Sequence, residues 1–160
     1  MDLKSKRICI VGMGYVGLPL AVAFGQKFTV VGYDIDESRI KDLKCGNDKT
    51  REVGSETLKS LKSNISFTSN IHKTKDCNIY IVTVPTPIDK TNRPDLNPLI
   101  DASKSIANVL KKNDTLVLKF DKFGILKNKE IYGKNDTNKI AFSNKETKNE
   151  LSKKSFVETF

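Results

Sequence analysis

A short apolar run, Arg7 to Val11, stops at Gly12, and a second apolar run of helical length covers residues 15–24. The junction between them reads Gly12-Met13-Gly14-Tyr15-Val16-Gly17. Three glycines at this spacing, following a strand and opening a helix, leave few folds open. Gly12 permits a tight turn, Gly14 lets the backbone approach a pyrophosphate, and Gly17 lets the helix pack closely on the strand. The phosphates would meet the amides and the positive dipole end of that helix.

The rest of the chain repeats the strand-then-helix theme. Residues 28–33 predict a second strand, and Asp36 caps a helix running to Lys44, with Gly46 ending it. Ser55 starts a short helix with Leu58 and Leu61 on one face, and Ile65 to Thr68 form a third strand. Residues 79–84 are the strongest strand, stopped by Pro85 and Pro87. Asn97-Pro98 opens a helix with Leu99, Ala102, Ile106 and Val109 on one side, and Thr115 to Leu118 follow as a fifth strand. Pro19 is tolerable only in the first turn of its helix, and Gly25 stands where a C-terminal cap is wanted. The expected fold is α/β, a Rossmann-like doubly wound parallel sheet of about five strands.

That pattern ends near residue 120. Residues 1–120 read as one dinucleotide-binding domain with an incomplete nicotinamide half, which leaves the fifth strand an exposed edge. Residues 121–160 hold 12 apolar residues of 40, no proline and many lysines and asparagines, and read as a poorly structured tail. At 160 residues, with 38% hydrophobic and 29% charged, the chain has a globular composition. No apolar run is long enough to cross a membrane. The basic start before the first strand is interrupted by the three glycines and does not read as a leader.

The net charge of +9 raises the question of a nucleic-acid partner. Only four of the 28 basic residues are arginines (Arg7, Arg39, Arg51, Arg93), and the lysines are scattered without aromatic interleaving, so none is expected. Cys9, Cys45 and Cys77 form no CxxC or Cys/His cluster, which argues against a disulfide framework or a metal site and for a reducing, cytoplasmic setting. All three are expected to be small buried hydrophobes. His72, the one histidine, lies in a polar stretch and reads as a surface residue. Asp89 and Asp95 read as turn residues, and no catalytic constellation is expected.

Asp34 ends the second strand 22 residues after Gly12, where a carboxylate accepts both hydroxyls of an adenosine ribose and repels a 2′-phosphate. NAD is therefore favoured over NADP. Arg39, one turn into the next helix, could reach the adenosine end. Thr86, in the Val84-Pro85-Thr86-Pro87 loop after the fourth strand, could hydrogen-bond the cofactor in the crevice outside the strand ends.

The runs Ile8 to Ala21, Gly32 to Ile40, Ile79 to Asp89 and Asn92 to Leu96, in that order, resemble the UDP-glucose/GDP-mannose dehydrogenase family, and within it the bacterial branch acting on UDP-N-acetylhexosamines for surface polysaccharides. The resemblance covers residues 6 to 118. It implies an oxidoreductase that converts a nucleotide-sugar C6 hydroxymethyl to a carboxylate in two steps, consuming two NAD, with a catalytic cysteine in a later domain. It also implies cofactor contacts at Gly12, Gly14, Tyr15, Val16, Gly17, Asp34, Arg39 and Thr86. Where such proteins continue with Glu-Ser-Thr, this chain has Lys119-Phe120-Asp121, and no cysteine matches the nucleophile's position. The expectation is a truncated cofactor-binding part, inactive alone, that acts with a missing C-terminal half or as a homo-oligomer. The alternative is a stand-alone, non-catalytic nucleotide-binding module.

Overall fold

The computed structural model describes residues 6–88, 94–112 and 114–118. Within them lies one five-stranded sheet of order β3-β2-β1-β4-β5, made of β1 (Arg7–Val11), β2 (Thr29–Tyr33), β3 (Ile65–Thr68), β4 (Ile79–Val82) and β5 (Thr115–Leu118). Every pairing is parallel, with Ile8 opposite both Val30 and Ile79. Four helices connect the strands: α1 (Gly17–Gly25), α2 (Glu37–Lys44), α3 (Ser55–Ser60) and α4 (Asn97–Ala107). The expected doubly wound architecture is present.

The alternation of side chains along each strand sorts the core into two layers. Ile8, Ile10, Val30, Ile65 and Ile81 face α1, α2 and α3 through Leu18, Ala21, Ile40, Leu43 and Leu58. Cys9, Val11, Val31, Tyr33, Tyr80 and Val82 face α4 through Leu99, Ala102 and Ile106. Both faces are apolar because helices cover both, which is why these strands read as continuous hydrophobic runs. The chain changes face between β3 and β4, through a 3-10 turn at Ile71–Thr74 that sequence reading missed. Tyr80, fully buried, donates its hydroxyl proton to the Thr74 carbonyl at 2.7 Å and so ties that turn to the core.

Several boundaries differ from expectation for identifiable reasons. α1 begins at Gly17 because residues 12–16 are consumed by the turn, which puts Pro19 in its first turn. Gly25 is not a left-handed cap. A Cβ on Gly25 would meet the Ile65 side chain at 2.5 Å, so the end of α1 packs directly on β3 there. β4 stops at Val82, because its partner β1 ends at Val11, where the chain turns away at Gly12. Cys9 and Cys77 are buried as expected, whereas Cys45 is exposed, since it closes α2 on the solvent side. His72 is exposed. Asp36 caps α2 through the amides of Ser38 and Arg39, and Gly46 follows with φ +80°. The expectations for Asp89, Arg93 and the tail 121–160 lie outside the described residues.

β3 and β5 are the sheet's edges among the described residues. No helix among them is long and apolar enough to cross a membrane, and no group of three or more metal-ligating side chains occurs among them.

Candidate dinucleotide site

A doubly wound sheet opens a crevice where successive connections leave on opposite faces. Here that point lies between β1 and β4, at their carboxyl ends. The glycine turn leaves β1 there, and the Thr83–Thr86 segment leaves β4 beside it.

The three glycines do different work. Gly12 has φ +98°, and its amide donates to the Tyr33 carbonyl at 2.8 Å. A Cβ on Gly17 would fall 1.7 Å from the Gly12 carbonyl oxygen and 2.5 Å from the Thr83 hydroxyl. The fold itself therefore requires glycine at both places. Gly14 differs: a Cβ there would meet nothing within 4 Å, and its φ is not in the left-handed region. No atom of the described residues explains that glycine, whereas an anion drawn against the turn would.

The helix end behind the turn agrees. α2 is capped by Asp36, but α1 has no side-chain cap at Val16 and no acidic residue in its first turn. The leading amides of α1 are left without a built-in anion, as a phosphate site requires. Tyr15 (69% exposed) and Val16 (42%) form an apolar rim beside it.

Met13, between the first two glycines, is held at both ends. Its amide donates to Asp34 Oδ2 at 2.7 Å, and its carbonyl accepts from Arg39 Nε at 2.8 Å. Asp34 also accepts from the Asp36 amide at 3.0 Å. A carboxylate has about four acceptor positions, so two remain for ribose hydroxyls. Ile35, next along, is 81% exposed, an unusual place for a large apolar side chain beside a polar site. It was missed in the sequence because nothing in a strand-end isoleucine signals exposure.

Arg39 reaches the glycine turn through its Nε, which donates to the Met13 carbonyl at 2.8 Å. It is buried along α2, and its Nη2 lies 2.7 Å from Asp48 and 3.3 Å from the Thr50 hydroxyl. Asp48, also missed, is the more elaborately held group. Burial alone would raise its pKa, but hydrogen bonds from the Thr50 hydroxyl, the Val53 amide, Arg39 and the Thr50 amide hold it at about 2, below its ordinary 3.8. A depressed carboxylate pKa contributes stability that is present above about pH 3.8 and is lost as the pH falls toward 2. That contribution is expected to be about 2 kcal/mol, and urea unfolding at pH 7 and pH 2.5 should show it missing from Asp48→Asn. Thr86 is half-buried on the β4 loop. Thr83, three residues earlier and not singled out in the sequence, places its hydroxyl 2.9 Å from the Gly12 carbonyl and 3.0 Å from that of Val11, which locks the two strand ends together.

Taken with the sheet order, a glycine turn clamped at Met13 above an uncapped helix defines a dinucleotide-binding Rossmann domain. Comparison with known proteins narrows the class. Residues 6–121 match the UDP-glucose/GDP-mannose dehydrogenase family, NAD binding domain, and the chain belongs to that family. It is 53% identical over 115 residues to UDP-N-acetyl-D-glucosamine 6-dehydrogenase of Pseudomonas aeruginosa, covering 72% of this chain and 27% of that one. It is 50% identical over 115 residues to the enzyme of the same name from Salmonella typhi, again 72% of this chain and 27% of the other. Among solved structures, UDP-D-ManNAc dehydrogenase from Pyrococcus horikoshii superposes with a TM-score of 0.67 at 31% identity, over 71% of this chain and 28% of that one. The chain thus spans about a quarter of the length of these relatives. The cofactor of the domain is NAD.

Proposed function

We propose that this chain supplies the NAD-binding part of a nucleotide-sugar 6-dehydrogenase, a cytoplasmic oxidoreductase that takes a UDP-N-acetylhexosamine to the corresponding uronic acid. The observation that carries the reading is Gly14: among the described residues, it is the one glycine of the turn that no atom requires, at the mouth of an uncapped helix. Bound there, NAD would supply the hydride acceptor for alcohol oxidation.

The residues of this chain bind and orient. Gly12, Gly14 and Gly17 admit the pyrophosphate to the helix end, with Tyr15 and Val16 as its apolar rim. Asp34 accepts the adenosine ribose hydroxyls while keeping its hold on Met13. Arg39 fixes the turn from beneath through the Met13 carbonyl, and Thr86 borders the nicotinamide side from β4. No residue of this chain is assigned to the chemistry on the sugar, so the isolated polypeptide is expected to bind cofactor and to oxidise no nucleotide sugar.

Thermal unfolding of the purified chain with and without millimolar NAD tests the reading. A ligand that binds only the folded state stabilises it by roughly 2.7 kcal/mol at a hundredfold excess over its dissociation constant. A cooperative transition that moves up with NAD is the expected result. A cooperative transition indifferent to NAD would overturn it.

A further inference from the structure

The adenosine end of the site contains an apparent contradiction. Domains of this class that select NAD place a carboxylate at the ribose, whereas those that take NADP place an arginine nearby to receive the 2′-phosphate. This chain has both, and they grip opposite ends of the same residue: Asp34 holds the Met13 amide at 2.7 Å, and Arg39 holds the Met13 carbonyl at 2.8 Å. A free arginine so close to the ribose carboxylate would weaken the discrimination that the carboxylate provides.

Asp48 resolves the conflict. It is nine residues beyond Arg39, in the loop that joins α2 to α3. Its side chain is 1% exposed, and it lies 2.7 Å from Arg39 Nη2. Its own position is fixed by the Thr50 amide (3.0 Å) and hydroxyl (2.7 Å) and by the amides of Glu52 (2.9 Å) and Val53 (3.0 Å). A loop that spends four donors on one carboxylate has built an anchor for the guanidinium. The anchorage does not satisfy Arg39 fully, since Nη1 is buried with no partner among the described residues. The inward position is held by the charge pair together with the bonds from Nε to Met13 and from Nη2 to Thr50, and Asp48 is the only anion in that set.

We propose that Asp48 is a specificity-determining residue: by ion-pairing Arg39 within the loop, it withholds that guanidinium from a 2′-phosphate and keeps the site selective for NAD over NADP. The inference rests on the reading of Asp34 and its surroundings as the adenosine end. Without Asp48, a buried and unneutralised guanidinium is costly, and the side chain is driven outward to water or to an anion at the ribose.

The experiment is titration of the 160-residue chain with NAD and with NADP by calorimetry, for the native sequence, Asp48→Asn, Arg39→Ala and the double variant. Asp48→Asn should lower the NAD-to-NADP affinity ratio by about fivefold, the effect of one partly exposed charge contact, and added salt should shrink that change. The double variant should restore the native ratio, because no guanidinium remains to be released. Thr50→Val, which loosens the same anchorage without altering charge, should shift the ratio the same way by less, and it serves if Asp48→Asn does not unfold cooperatively. A folded Asp48→Asn chain with an unchanged ratio, or a shift that persists in the double variant, would overturn the proposal. Failure of the native chain to bind either nucleotide would instead strike the adenosine-site reading itself, and the inference with it.

Discussion

Replacing Gly17 by alanine is expected to destroy the fold, whereas the same change at Gly14 is expected to leave the fold intact and remove the ligand. At Gly17 the added carbon would stand 1.7 Å from the Gly12 carbonyl oxygen and 2.5 Å from the Thr83 hydroxyl. Neither neighbour can yield cheaply. The first is main chain in the tight turn, and the second is hydrogen-bonding distance from two strand-end carbonyls. Overpacking against such atoms costs about 3 kcal/mol or more, a large share of the ~5–15 kcal/mol that holds a domain together. At Gly14 the carbon enters open space with no backbone strain, so the unliganded melting midpoint should not move. NAD affinity should fall at least about tenfold, because the space is where the pyrophosphate must approach. Circular dichroism melts of both variants, with and without NAD, read the two effects separately. Equal loss of stability in both would show that Gly14 is a folding glycine and not a binding one.

Asp34→Ala is the second large effect. The carboxylate has two structural donors, Met13 N at 2.7 Å and Asp36 N at 3.0 Å, and two acceptor positions left for a diol. Its removal should cost about 1 kcal/mol of stability through the loosened turn. The cost in NAD affinity is expected to be about 3 kcal/mol, or roughly a hundredfold, because charge-assisted bonds to both hydroxyls are lost together. At an NAD concentration that stabilises the native chain by ~2.7 kcal/mol, the variant would retain only about 0.4 kcal/mol. Melts at matched NAD concentration check this. A variant that shifts as far as the native chain would remove Asp34 from the site.

Most of the scaffold was legible because its signals are local. The Asp36 cap, the Asn97-Pro98 start of α4 and the Leu99, Ala102, Ile106 face each lie within one or two helical turns, and all are where reading along the chain placed them. The five strands were legible because burial on both faces makes them uniformly apolar. What was not legible depended on distance. Gly25 reads as a cap until Ile65, forty residues on, is seen against it. Cys45 reads as core until α2 is seen to turn it to solvent. The ion pair between Arg39 and Asp48 carries no signal along the chain, because the α2–α3 loop must fold back before the two meet.

The sequence alone determined the class of this protein: strand, glycine turn, helix and strand-end carboxylate are contiguous within residues 7–34, so their geometry follows from local sterics and spacing. The tertiary structure alone decided which distant residues hold those parts in place. Only the pairing of β4 beside β1 brings Thr83 behind the turn, where its hydroxyl joins the two strand ends and adds to the local clash that a Cβ on Gly17 makes with the Gly12 carbonyl. Only the folding of the α2–α3 loop around Asp48 turns Arg39 inward. Both depend on contacts between residues far apart in the chain, and such contacts are set by packing that no local pattern encodes.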